Sequence, residues 1–290
     1  MKQKMIFCLI FSLFLLSFTA KAQEEQKATD IYQVETRDGN IFRGKLLHEN
    51  ENEVVLETGT LGEITIKRAD IKRMETLDKV KQVGTDYWTE HPQDVRYLWT
   101  STGYGLRKGT GYYQNVWIFF NQFAYGVTDN FSVGLGLVPL FLFEGTSSPF
   151  WLTPKLSVPV VEDKFSLGVG ALLGTVVGED HTGFGMFYGV ATIGSRQKNL
   201  SFGAGWAYAV GEISERPVFN ISGMIRTGRK GYLLTENYFF DADEGFGAML
   251  SLAGRSIIGH KVGIDYGGMI PVGEDIGLNV IPWLGLTVPF

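Results

Sequence analysis

The chain has 290 residues, of which 37 are glycine; aromatic residues make up 13%, charged residues 20%, and the net charge is −5. So mild a charge supplies no basic field for nucleic acid, which removes that class of partner. Beyond residue 22 no apolar run is long enough for a membrane helix, so a membrane protein of this composition has to cross with the half-apolar strands of a barrel.

The first segment, MKQKMIFCLIFSLFLLSFTAKAQ, places Lys2 and Lys4 before an apolar run from Met5 to Phe18 and closes on Ala20-Lys21-Ala22. That order of basic, apolar and small residues reads as a secretory signal peptide over 1–22, cut before Gln23. The run is shorter than the roughly 20 residues a helical anchor needs. Cys8 is the only cysteine, and the small residue of a lipoprotein signal does not precede it. The exported chain is therefore expected to have neither disulfides nor thiol chemistry.

After a tail over 23–30, residues 31–77 read as one compact β module. Val, Ile and Leu alternate with charges, and turn signals recur at Asp38-Gly39-Asn40, Asn50 to Asn52 and Thr58 to Thr60. The spacing predicts five short strands, the content of a small SH3-like or Sm-like barrel. The stretch TRDGNIFRGKLL, continued by VVLETGTLGEITIKRADIKRME, resembles the Sm-like pattern, in which a DG turn precedes a strongly bent strand with a later glycine. Gly39 and Gly44 stand at those places. The resemblance implies a fold for this module alone. Sm proteins bind RNA, but here Lys and Arg are balanced by Glu and Asp in an exported module, so docking or spacing is the expected role.

Residues 78–96, which include the extended dipeptide His91-Pro92, read as a linker. From Tyr97 to Phe290 the chain reads as an all-β, antiparallel transmembrane barrel. Segments of strand length follow one another at 97–103, 111–127, 131–143, 149–160, 164–178, 182–195, 199–210, 216–227, 231–240, 245–258, 262–271 and 278–290. That is about twelve strands, and bacterial barrels require an even number. The connections alternate in length. Short ones are Thr128 to Asn130, Glu162-Asp163, Arg196 to Asn199, Gly228 to Lys230 and Gly259 to Lys261; longer ones are Leu106 to Thr110, Glu144 to Ser148, Glu179 to His181, Gly211 to Glu215, Asp241 to Glu244 and Val272 to Gly277. If Phe290 is periplasmic, every short connection is too, as short periplasmic turns and long external loops require, and so is the N-terminal module.

Leu284, Leu286, Val288 and Phe290 alternate with other residues in a strand that resembles the C-terminal signal by which outer-membrane barrels are recognised for insertion. This strand has to pair with the first to leave no edge. Pro289 departs from a regular strand because it lacks a donor. The stretches GYYQNVWIFFNQFAYGVTDNFSVGLGLVP, GYLLTENYFF and IPWLGLTVPF resemble outer-membrane barrel proteins of Bacteroidota-type bacteria that carry a small N-terminal β module. The resemblance implies a location, the Gram-negative outer membrane with the module in the periplasm. The partners it implies are outer-membrane lipids and the barrel-insertion machinery, and a periplasmic protein for the module stays open. It implies no mechanism.

Within the strands, large and small residues alternate: Phe131, Val133, Leu135 and Leu137 against Ser132, Gly134 and Gly136; Phe165, Leu167 and Val169 against Ser166, Gly168 and Gly170; Leu200, Phe202, Ala204, Trp206 and Tyr208 against Ser201, Gly203, Gly205, Ala207 and Ala209. The large set is expected to face lipid and the small set the lumen. The GxG runs here sit inside strands, so they are not nucleotide-binding loops. Few charges fall on the inward face. A three-residue turn Gly259-His260-Lys261 sets Arg255 opposite Asp265, and these two are expected to pair. Arg226 and Glu236 face inward if Gly228-Arg229-Lys230 is also a three-residue turn, and Lys155 is a fifth candidate. These groups either line a water-filled pore or pair across a packed lumen.

The external loops are acidic, but the DADEG stretch falls short of a calcium loop, so neither metal nor cofactor is expected. Nor is catalysis. Beyond the signal segment the histidines are His48, His91, His181 and His260, and only the last two belong to the barrel, at opposite ends, so a Ser–His pair is not at hand. Two functions stay open: a passive channel for small solutes, and a closed barrel that anchors a periplasmic docking module or presents its loops.

Overall fold

The computed structural model describes residues 31–77, 80–83, 86–89, 93–139, 147–179, 182–242, 245–259, 261–273 and 279–290. The signal segment, the tail over 23–30, His91, His181 and His260 lie outside them. The chain divides into two compact units, 1–88 and 89–290.

In the first unit the alternating pattern forms β1 (Ile31–Thr36), β2 (Ile41–Glu49), β3 (Glu53–Thr58), β4 (Gly62–Lys67) and, after a single 3-10 turn, β5 (Ile71–Leu77). Their order is β4-β3-β2-β1-β5, and among the described residues β4 and β5 are unpaired edges. The five expected strands are present, but the sheet is open and not a closed small barrel. Val34, Val54, Leu56 and Ile66 form its core. Gly39 takes φ +90° in the β1–β2 turn. There the Asp38 carboxylate accepts from the Thr36 hydroxyl and from Asn40, and the Thr36 bond first of all holds its carboxyl below the usual range. A Cβ at Gly44 would stand 2.8 Å from the Glu57 carbonyl carbon, so a side chain there would part β2 from β3. Two further strands, β6 (Val80–Val83) and β7 (Asp86–Thr89), form a separate two-stranded sheet within the stretch expected to be a linker.

The second unit is a closed antiparallel barrel. Its wall comprises β8 (Gly111–Val116), β9 (Phe120–Gly126), β10 (Phe131–Leu137), β11 (Ser148–Leu152) with β12 (Lys155–Val161) as one interrupted strand, β13 (Phe165–Val177), β14 (Phe184–Ser195), β15 (Lys198–Ala209), β17 (Val218–Arg226), β18 (Gly231–Ala242), β19 (Gly245–Ile258), β20 (Val262–Val272) and β21 (Ile281–Pro289). The two-residue β16 (Glu212–Ile213) pairs only with β15, so the wall has twelve strands. β21 closes on β8: Phe290 and Gly111 exchange two backbone bonds of 2.9 Å. That exchange also accounts for Pro289. Its missing N–H points away from β8, beyond the last β20–β21 pair, Gly263 with Thr287, so no ladder bond is lost.

The number of strands agrees with the sequence pattern, but their assignment does not. Residues 97–103 are not a wall strand, and the barrel wall begins at Gly111 instead of Tyr97. The segment 111–127 is two strands, β8 and β9, joined by the three residues 117–119. Two of them, Trp117 and Ile118, are left-handed, φ 50° and 69°, without glycine, asparagine or aspartate. Asn115 Nδ2 donates to Ile118 O at 3.0 Å and Asn121 Nδ2 to Phe119 O at 2.9 Å, which hold the turn. A β-branched residue in this conformation costs roughly 1–2 kcal/mol. Ile118 is 79% exposed, so Ile118→Gly forfeits little contact and is expected to raise stability by about 1 kcal/mol, read as a higher urea midpoint with unchanged slope.

The turns 127–130, 162–164, 196–197, 227–230 and 259–261 share the end of the barrel that carries Phe290. At the opposite end β8 leads to β9, β10 to β11, β13 to β14, β15 to β17, β18 to β19 and β20 to β21, and two of these six connections, of three and two residues, are short in sequence. Residues 107–110, expected among the external loops, lie at the Phe290 end, where Gly109 N donates to Gly126 O and Gly126 N to Thr110 O, both at 2.9 Å. On the outer surface Leu135, Val169, Phe202, Trp206, Leu252 and Leu284 are exposed, and Leu286, Val288 and Phe290 continue the same face. An apolar girdle of this extent has no place in water and matches a bilayer core. The barrel is a transmembrane one.

Candidate functional site

The small inward residues of the wall leave room, and the chain itself occupies much of it. Residues 93–106 run into the lumen at the Phe290 end, turn back at 97–100, and return to that end to start β8. Within this strap Tyr97 N donates to Thr100 O at 2.9 Å and Thr102 N to Val95 O at 2.8 Å, so it is a tight hairpin. Its start is placed by Gln93, bonded to Thr287 O, and by Asp94, 3.0 Å from Arg196 in a turn of the Phe290 end. Glycine makes the close approach feasible. A Cβ at Gly103 would stand 2.8 Å from the Ser166 carbonyl carbon, and one at Gly168 would reach the Gly103 Cα at 3.4 Å. The space that glycine-lined walls leave for water in an open pore is taken up here by backbone.

Apolar strap residues pack as in a soluble core. Tyr97 joins Met224, Tyr232, Leu234 and Ile257; Leu98 joins Val116, Ala253, Met269 and Trp283. The lumen is therefore lined by large residues as well as small ones on the β17–β21 side, where the size alternation fails.

The inward charges hold this strap. Glu236 is fully buried. Its Oε2 accepts from the backbone N–H groups of Leu98, Trp99 and Thr100 at 2.9, 2.9 and 3.0 Å, and its Oε1 from Tyr238 at 2.6 Å. Three successive N–H groups converging on one oxygen make a backbone nest for an anion, and here the anion belongs to the wall. Arg255 and Asp265 are register partners on β19 and β20; Arg255 Nε and Nη2 donate to the two Asp265 oxygens at 2.5 and 2.9 Å. Arg255 also donates to the carbonyls of Gln93 at 3.1 Å and Tyr97 at 2.5 Å. Arg96 of the strap lies 3.7 Å from Asp265 and bonds Thr287 and the Leu98 carbonyl. Lys155 Nζ donates to the Tyr104 carbonyl at 2.6 Å. Arg226 behaves differently. It sits at the Phe290 rim beside Tyr232, with Nη1 on Gln197 Oε1 at 2.8 Å, and its cross-strand neighbour is Tyr232, while Glu236 faces Ser222.

Sequence reasoning named the wall side of this network and missed the strap side: Asp94, Arg96, Tyr97 and the nest. The available signal was the polar run Gln93-Asp94-Val95-Arg96, which no lipid-facing strand would carry.

Beside the strap, from its arms past its tip, lies a cavity of about 460 Å³. Val95, Trp99, Thr100, Ser101 and Leu106 line it from the strap, and Tyr112, Gln122, Lys155, Leu172, Met186, Tyr188, Val218 and Tyr238 are among its wall residues.

No protein-family model matches the sequence, and no curated protein does. Solved structures similar to the chain are outer-membrane barrels at low scores. A structure described as KdgM porin is 6% identical, covers 62% of this chain and 96% of its own, and has a TM-score of 0.44. The NanC porin has the same identity and coverage with a TM-score of 0.41. A loop-deletion variant of OmpT, an outer membrane protein of Vibrio cholerae, is 12% identical over 90% of this chain and 97% of its own, with a TM-score of 0.37.

Proposed function

We propose that this protein is an outer-membrane channel for small solutes whose lumen is shut, in the state described, by its own strap. The observation that carries the reading is the buried Glu236 carboxylate gripping three successive strap N–H groups. A carboxylate buried at the strap tip costs free energy unless it is fully bonded, so sequence and fold have been matched to keep the strap in place. The wall behind it is that of a twelve-stranded barrel, between the eight-stranded barrels that side chains fill and those of about 16–18 strands that leave an aqueous channel, and departure of the strap would empty part of its lumen. In this reading the short-turn end carrying Phe290 is periplasmic, the chain threads into the lumen from that side, and the 31–77 module is periplasmic. The chemistry is selective passage and not catalysis.

The test is flux of small sugars and amino acids into liposomes carrying the folded protein, with and without residues 23–106. The full chain is expected to pass little and the shortened barrel to pass solutes freely. Silence from both would favour the second reading, a closed barrel that anchors the module.

A further inference from the structure

Lys155 is a lumen charge that the strap network leaves short of an anion. It is 6% exposed, it lines the cavity, and among the described residues its one hydrogen bond is to the neutral Tyr104 carbonyl at 2.6 Å. Asp94 of the strap is engaged by Arg196 at 3.0 Å. Glu236 is spent on the strap, and Asp265 on Arg255 and Arg96. A buried ammonium with two donors unused and no ion pair among the described residues is costly by itself. The rest of the lining carries no charge and is mostly apolar, with Trp99, Tyr112, Leu172, Met186, Tyr188 and Val218 beside neutral polar groups such as Thr100, Gln122 and Asn220. Its volume lies in the range of small-molecule sites, and such sites place a few polar groups in an apolar shell.

We propose that this cavity binds an amphipathic organic anion, a carboxylate on a planar or otherwise apolar body, with the carboxylate on Lys155 and the body among the tyrosines, Trp99 and Met186. The ammonium supplies the charge-assisted bonds, and the apolar shell supplies the affinity. The inference deepens the channel reading by naming the class of solute, and rests on that reading for what binding is for. Binding and passage are nevertheless measured apart.

The probe pair is 2-naphthoate and its neutral isostere 2-naphthamide, titrated calorimetrically into the full chain in nanodiscs, with empty nanodiscs as the blank. Naphthoate is expected to bind saturably and at least tenfold more tightly than the amide. Lys155→Met is expected to abolish that preference. Gly203→Leu is expected to remove binding of both, because a Cβ there points inward with its nearest neighbour at 3.4 Å and so fills the cavity without a backbone clash. Equal binding of acid and amide to the unaltered chain, or no saturable heat from either, overturns the proposal whether or not the variants fold. A preference that survives Lys155→Met does the same. Naphthoate binding without flux through the shortened barrel would sink the channel reading and leave the site standing; flux without binding would do the reverse.

Discussion

Glu236→Ala will make the full-length protein conduct. The substitution removes the acceptor of three strap N–H groups and of the Tyr238 hydroxyl. Hydrogen bonds to a charged group are worth about 1.5–3 kcal/mol each, and a buried donor left without an acceptor costs about 1–3 kcal/mol. Losing several at the strap tip weakens docking by about 3 kcal/mol or more, roughly a hundredfold in the ratio of docked to released strap. The wall should survive, because the ladder bonds of β18 to β17 and β19 are backbone bonds that do not involve the side chain. The expected result in planar bilayers is a rise from a quiet baseline to frequent openings, with the protein still folded by its heat-modifiable migration. Glu236→Gln, which keeps one acceptor oxygen, should fall between. An unchanged baseline from a folded Glu236→Ala protein would mean that the nest does not hold the gate.

Asp265→Asn will be the most damaging single substitution in the lumen. Arg255 and Arg96 share this carboxylate, at 2.5 and 3.7 Å, and both guanidinium groups are nearly inaccessible. Neutralising Asp265 leaves two buried cations facing each other. Breaking a buried pair by removing one partner typically costs about 3–5 kcal/mol, because the remaining charge is uncompensated. A second substitution, Arg96→Met, should return a large part of that loss by removing one cation, so the double variant should be more stable than Asp265→Asn alone. The unfolding midpoints of the four proteins in the cycle measure this coupling. Simple additivity would show that the two arginines do not depend on a common anion.

The wall of this barrel was legible in the sequence because lipid imposes a two-residue period. Leu167 and Val169 against Ser166 and Gly168 can have only one orientation. The opposition of Arg255 and Asp265 followed from the same period and one turn length. The strap was illegible for a related reason: a segment inside a lumen meets no uniform solvent, so it carries no period, and YLWTSTG was read as another wall strand. The hidden turn at Trp117 and Ile118 offset that error. It has none of the usual turn residues, because Asn115, Asn121 and the neighbouring strand hold it from outside the turn. Length was the clue. A single strand over 111–127 has 17 residues, well beyond the roughly 9–11 that cross a bilayer at the usual tilt. In the module, the DG turn and Gly44 were legible from local chemistry, while closure of the sheet depends on edge pairing that local pattern does not encode.

The central claim, that the strap lies inside the lumen of the membrane-inserted protein, is tested most directly by thiol accessibility. Cys8 is the only native cysteine, so in a Cys8→Ser background a single Thr102→Cys reports on the strap at a position with 0% exposure. Ile118→Cys, on the exposed tip of the β8–β9 turn, is the control. A membrane-impermeant maleimide applied to both faces of the inserted protein should label the control at the rate of a free thiol and Thr102→Cys at least roughly a hundredfold more slowly, through opening alone. Addition of Glu236→Ala should return Thr102→Cys towards the control rate. Labelling of Thr102→Cys at the control rate in the otherwise unaltered chain would place the strap in water and contradict the account.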